Sequence, residues 1–217
     1  MKTLLIIGAG LGISHSTAQR FAKEGFRIIL AGRDQQNAAG LVDTLRQQGT
    51  EVSYHSLDAT NVEQLNQLID ALEAEYGQLD VVHYNAGNVR HQTIEEQPAE
   101  SFIADLNVNI AGAMVAAKRA FSFMKKRQAG TILLTGGGFA LQPHPEFLSI
   151  SIGKAGIRAL TQGLFDAFKA ENVHIATVTV AGFISPATKE ADAVAEHLWQ
   201  LHQQERADWT EEVIYTP

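Results

Sequence analysis

The chain has 217 residues, enough for one domain with a substantial core, and 1–217 reads as that single domain. A formal net charge of −7, with no long run of Lys or Arg, excludes a general binder of nucleic-acid backbone. The absence of cysteine excludes disulfides, thiolate nucleophiles and cysteine-held metals, and it suits a reducing cytoplasm.

No stretch approaches the ~20 apolar residues of a membrane-spanning helix, so no membrane association is expected. Thr3–Ile7 is continuously apolar, as expected of a strand buried on both faces of a parallel sheet and too short for a signal peptide. The turn Gly8-Ala9-Gly10-Leu11-Gly12 follows, then a helix with Ile13, Thr17, Ala18 and Phe21 on one face. Residues 27–31 form a second strand. Asp34 then caps a helix over 35–48 that Gly49 stops. Residues 51–56 are a third strand. Thr60-Asn61-Val62-Glu63 matches a capping box, with Val62, Leu65, Leu68, Ile69, Leu72 and Tyr76 inward along its helix. Residues 79–84 are a fourth strand.

One long helix is expected over 101–127, burying Ile103, Leu106, Ile110, Met114, Ala117, Phe121 and Met124. Its end, Lys125-Lys126-Arg127, suits the negative pole of the helix dipole. A fifth strand at Thr131–Thr135 leads into Gly136-Gly137-Gly138. The next helix, over 149–171, is expected to bury a stripe of Ile152, Ala155, Ala159, Gly163 and Ala167 with their neighbours Gly156, Leu160, Leu164 and Phe168. His174–Val180 is a sixth strand, 190–203 a last helix and 213–215 a short edge strand. This alternation calls for a doubly wound, Rossmann-like α/β fold with a parallel sheet of six or seven strands and helices on both faces.

Two features carry chemistry by residue type. A glycine turn between first strand and first helix brings backbone close to a pyrophosphate and aims helix N-terminal amides at it. That assigns Gly8, Gly10, Leu11, Gly12 and Ile13 to cofactor binding, with Ser14 or Ser16 as further donors to phosphate. After the second strand, Ala31-Gly32-Arg33-Asp34 offers a guanidinium suited to a phosphate and no acid at Gly32, so NADP is expected over NAD. The histidines show no metal-ligand spacing, and no metal is expected.

With this turn, Asn85-Ala86-Gly87 and Lys154, the chain resembles the short-chain dehydrogenase/reductase family over about residues 3–184. The resemblance implies that Asp58 accepts from the adenine amino group and that Asn85, Ala86 and Gly87 line the adenosine. It implies that Asn109 holds a water beside Lys154, and that Lys154 holds the nicotinamide ribose and lowers the pKa of a Tyr four residues earlier. Here that position is Ile150, and the family's Ser, thirteen residues before it, is Gly137. Ile7 and Ser14 replace the Thr and the last Gly of the family's turn.

His144, on the loop between, is a candidate donor of suitable intrinsic pKa. The lid expected after the sixth strand is nearly absent. The resemblance also implies a homodimer or homotetramer built on the two long helices. Two functions are compatible with these residues. One is an atypical NADP(H)-dependent oxidoreductase acting on a carbonyl or alcohol through another proton donor; the other is an NADP(H)-binding sensor or scaffold without turnover.

Overall fold

The computed structural model describes residues 1–217. Its strands are β1 (Thr3–Ile7), β2 (Arg27–Gly32), β3 (Val52–Ser56), β4 (Val81–Tyr84), β5 (Thr131–Thr135), β6 (His174–Val180) and β7 (Glu212–Tyr215). All pair in parallel, in the order β3-β2-β1-β4-β5-β6-β7. The helices are α1 (Ile13–Ala22), α2 (Gln36–Gln47), α3 (Val62–Tyr76), α4 (Ala99–Leu106), α5 (Gly112–Arg127), α6 (Leu148–Ala170) and α7 (Lys189–Gln203). No helix is long and apolar enough to cross a membrane.

The sheet is covered on both faces because its strands are apolar on both. Leu5, Ile7 and Ile29 pack with Leu65, Ile69, Ala117 and Ile157 of α3, α5 and α6. Leu4, Ile6 and Ile28 pack with Phe21, Leu41, Val194 and Leu198 of α1, α2 and α7. Each such aliphatic side chain, fully buried, contributes roughly 1.5–3 kcal/mol. Strand order turns back at β1, which lies between β2 and β4, and the carboxyl ends of β1 and β4 therefore open onto a crevice.

Four expectations are corrected in detail. The long helix is interrupted: α4 and α5 are joined by a π turn over Asn107–Ala111. The Tyr84 hydroxyl donates to the Val108 carbonyl at 2.7 Å within it, and a side chain at Gly112 would collide with Ala59 and Tyr84. Across this rod Asp105, Asn109, Ala113, Ala116 and Ala120 take inward places, while Ile103 and Met114 face out. In α6 the expected stripe is only half outward, since Phe168 is buried and Leu160 and Leu164 pack against the core. Ile152, Ala155, Ala159, Gly163 and Ala167 are exposed, and Ile150, Gly153, Ile157, Thr161 and Phe168 are buried. The reason is close approach: Gly153 and Gly156 bring the backbone of α6 against Asn109 and Ile110.

The capping box is shifted by one residue. Asn61, not Thr60, caps α3 by accepting from Gln64 N at 3.0 Å. Asp34 lies just outside α2 and accepts from Gln36 N at 2.9 Å, so it still serves the first turn.

Candidate active site

The glycine turn is built by close backbone contacts. Gly8 has φ +93°, and a side chain there would run into Ala86. The Gly8 and Ala9 amides both donate to Ala31 O, at 2.8 and 3.0 Å, and the Asn85 and Ala86 amides both donate to Ile7 O. These bonds lock the turn, the end of β2 and the Asn-Ala-Gly segment into one frame. Ser14 adds a clasp: its Oγ accepts from Gly10 N at 2.8 Å and donates to Gly10 O at 3.0 Å. Its hydroxyl is thus spent within the turn rather than turned to a phosphate, and Ser16 is buried. The amides of Leu11, Gly12 and Ile13 have no partner within the protein and stand at the N-terminus of α1.

Two depressions meet along the carboxyl edge of the sheet. A polar one of about 580 Å³ is lined by Gly8, Arg33, Asp58, Asn85, Ala86 and Gly87 among others. An apolar one of about 790 Å³ includes Ile13, Gly137, His144, Ile150 and Lys154. Asn85 and Gly87 line both, so the two form one trough. Gly10, Leu11 and Gly12 line neither; Gly12 is the N-cap of α1, whose first residue, Ile13, lines the apolar end.

At the polar end Arg33 is exposed. Asp58 Oδ1 accepts from Thr60 N and Thr60 Oγ1, at 2.9 and 2.8 Å. Those two bonds, with a smaller pull from the Arg33 charge, hold its carboxyl below the usual carboxylate range despite partial burial. A side chain at Gly32 would press on Ala9 backbone at 3.3 Å, and Gly32 O is taken by the Tyr54 hydroxyl at 2.7 Å.

Sequence reasoning missed Asn88, Arg90 and Asp105 here, all of which line the polar depression. Asp105 is buried and accepts from Arg90 Nε at 2.8 Å, Asn88 Nδ2 at 2.6 Å, Gln97 Nε2 at 3.0 Å and Ser149 Oγ at 2.9 Å. Burial alone would raise its pKa; the bonds from Arg90, Asn88 and Ser149 win and lower it. The only available signal was an acid between Ala104 and Leu106 on a helix otherwise read as apolar on that side.

At the apolar end Lys154 Nζ donates to Thr135 O at 2.6 Å and forms no ion pair with any carboxylate. Burial lowers its pKa to about 8. Behind it runs a polar chain. Thr135 Oγ1 donates to Asn85 Oδ1 at 2.9 Å, and Asn85 Nδ2 donates to Gly8 O at 3.1 Å. His83 Nε2 lies 2.9 Å from the same Thr135 Oγ1 and is therefore the donor to it, which leaves Nδ1 bare and unpartnered in the core. Burial, helped by the Lys154 charge, pushes the His83 pKa down to about 3, so its imidazole is neutral.

Ile150 is buried one helical turn before Lys154 and lines the cleft. Gly137 lies against the Lys154 stem: an added Cβ would sit 3.1 Å from Lys154 Cγ. His144 lies at the lip, half exposed, with Nδ1 accepting from Glu146 N at 3.2 Å. Neither Tyr nor Ser lines this cleft.

Asn109 does not line the trough. Its Oδ1 accepts from Asn88 N at 2.7 Å and its Nδ2 donates to Asn88 O at 3.1 Å, so both side-chain groups pin the loop after Gly87. Asn109 itself lies within the π turn Asn107–Ala111.

A model of the short chain dehydrogenase family matches residues 2–196. The chain belongs to the short-chain dehydrogenase family. This short-chain dehydrogenase is 27% identical over 180 residues to an uncharacterized oxidoreductase of Thermotoga maritima, covering 83% of this chain and 70% of that one. It is similar to the crystal structure of a short-chain dehydrogenase from Rhodopseudomonas palustris, with TM-score 0.91, 27% identity and coverage of 100% and 98%. It is also similar to an alcohol dehydrogenase from the archaeon Thermococcus sibiricus complexed with 5-hydroxy-NADP. There the TM-score is 0.88 and the identity 25%, with coverage of 99% and 96%. As a short-chain dehydrogenase it is an oxidoreductase of Rossmann-like, nucleotide-binding architecture.

Proposed function

We propose that this short-chain dehydrogenase is an NADP(H)-dependent oxidoreductase of a carbonyl or alcohol that works without a tyrosine acid. The observation that carries this reading is the single trough, polar at Arg33 and apolar at Lys154, joined across Asn85 and Gly87. Its residues fit a dinucleotide. The unpartnered amides of Leu11, Gly12 and Ile13 suit a pyrophosphate, Arg33 a 2′-phosphate, Asp58 an adenine amino group and Lys154 the nicotinamide ribose. The complex of the Thermococcus sibiricus relative with 5-hydroxy-NADP supports the phosphorylated form.

When bound, the dinucleotide supplies or takes a hydride. The proton on the substrate oxygen is then the protein's task. A carbonyl oxygen beside Ile150 meets alkyl surface, and Thr135 Oγ1 already donates to Asn85. The Lys154 ammonium keeps N–H groups beyond the one given to Thr135 O, and it is mostly charged at pH 7 with a pKa of about 8. We assign it as the donor, with His144 at the lip as the second candidate. The packed Ile150 favours a second reading, a dinucleotide-binding sensor without turnover.

The absence of cysteine supports a cytoplasmic setting. The exposed Ile103, Met114 and Ile152 of α4, α5 and α6 support pairing of two copies, as a homodimer or homotetramer, measurable by light scattering.

A paired titration with NADPH and NADH, followed by nicotinamide fluorescence, tests the cofactor. NADPH is expected to bind at least about tenfold tighter, and Arg33→Ala to remove the difference. Binding of neither sinks the reading. NADPH binding without turnover across a carbonyl panel selects the sensor.

A further inference from the structure

The apolar half of the trough has a character that dinucleotide binding does not require. Lys154 is the only fully charged side chain in its lining, and neither carboxylate nor guanidinium joins it. A substrate carrying a carboxylate or phosphate away from its carbonyl would bring that charge into apolar surroundings whose one cation, Lys154, is engaged at the carbonyl end, a costly transfer.

One wall is aromatic. The Phe139 and Phe183 rings meet nearly at right angles, 73° with centroids 5.9 Å apart. Phe139 is stacked on Phe147 at 5.1 Å, and Phe147 on His91 at 4.8 Å, so the wall is braced from behind. Phe183 sits at the mouth, 71% exposed, on the short segment between β6 and α7. A large aromatic side chain left this open at a cleft mouth has a face available to a ligand.

The second observation is Ile150. A carbonyl oxygen that gains charge beside it meets no adjacent acid on that side. A quinone carbonyl that takes a hydride leaves a phenolate, whose charge spreads over its own ring and lessens the demand on a proton donor.

Building on the oxidoreductase reading above, we infer that the cleft takes an uncharged, planar, conjugated carbonyl compound, such as an aryl ketone or a quinone, against Phe139 and Phe183. The cleft's volume of about 790 Å³, shared with the nicotinamide end of the dinucleotide, suits a compact fused-ring ligand.

The test is direct binding, by calorimetry, of three probes to the whole protein with and without NADPH: 2-acetylnaphthalene, its saturated counterpart 2-acetyldecalin, and 2-naphthoate. The aromatic ketone is expected to bind about three- to tenfold tighter than the decalin, and the carboxylate to bind more weakly than both. Phe183→Leu keeps apolar bulk and is expected to erase the preference for the flat ring; its cooperative thermal unfolding verifies the fold.

Equal affinity for the flat and saturated ketones, or a preference for the carboxylate, overturns the proposal. So does a preference that survives in Phe183→Leu. NADPH binding in the wild-type protein is read separately. Its failure alongside ring-selective binding removes the oxidoreductase reading and leaves the ligand class standing.

Discussion

The Lys154 ammonium is held at 2.6 Å by the carbonyl of Thr135, and the two residues share no carboxylate. That pairing orients Nζ at the end of β5, but a backbone carbonyl is a weak counterweight to a charge taken out of water. Burying this charge therefore works against the fold.

Its removal is expected to stabilise the chain. The Lys154 pKa falls from 10.5 to about 8, so at neutral pH the folded state carries a charge more cheaply held by the unfolded chain. The sign follows from proton binding. Between pH 8 and 10.5 the unfolded chain holds a proton that the folded one has lost, so stability rises with pH there and the full penalty applies below pH 8. Allowing for the lost hydrogen bond, Lys154→Met is expected to gain about 2 kcal/mol in urea unfolding at pH 7. NADPH affinity should fall in the same variant.

His83 makes the fold sensitive to acid. Its pKa is 6.5 in the unfolded chain and about 3 in the core. Above pH 6.5 it is neutral in both states and has no effect. Below, only the unfolded chain binds the proton, and stability drops by about 1.4 kcal/mol per pH unit. His202, lowered to about 4 by burial, adds to the slope. His83→Gln keeps an N–H for Thr135 and removes the titration. Urea unfolding of this variant between pH 6 and 4 should show a slope shallower by one proton.

Asp105 gathers Arg90, Asn88, Gln97 and Ser149 around one buried carboxylate. Asp105→Asn removes the charge facing Arg90 and forces one donor to lose its acceptor. A loss of about 3 kcal/mol is expected, together with faster amide exchange over residues 88–97 and weaker NADPH binding. A neutral outcome in all three would show that the loop is held by Asn109 alone.

Restoring the family's side chains tests the proposed proton route. In Gly137→Ser/Ile150→Tyr the new Ser Cβ starts 3.1 Å from Lys154 Cγ, so the lysine stem must give by a few tenths of an ångström. If wild-type turnover is limited by proton supply, reduction of an aryl ketone should rise by about a hundredfold. A fall from an existing activity would show that Lys154 or His144 serves as donor in a geometry the new side chains obstruct.

The architecture could be read from the sequence because it is written in local signals. Apolar-rich runs at 4–7, 28–31 and 175–180 suit strands covered on both faces, and alternation with amphipathic helices leaves few topologies. The glycine turn, Arg33, Asn85-Ala86-Gly87 and Lys154 were visible for the same reason: each is a residue type tied to an element end. Gly8, Arg33, Asn85, Ala86, Gly87 and Lys154, with Asp58 and Ile150, do line one trough.

What the sequence by itself determined, then, is the order of elements and the end of the sheet where the chemistry lies. Only the tertiary structure decided which face of each long helix is inside. Periodicity reports an apolar stripe, but it cannot tell a core from an exposed apolar surface, and Ile103, Met114 and Ile152 proved to be the latter. The π turn depends on Tyr84 reaching Val108 across 24 residues, and the Asp105 node on donors from three separate segments. The aromatic wall of Phe139, Phe147 and Phe183 joins residues from two loops. Contacts between residues far apart in the chain leave no local pattern, because the energy that selects them is paid out only when the whole sheet has brought them together.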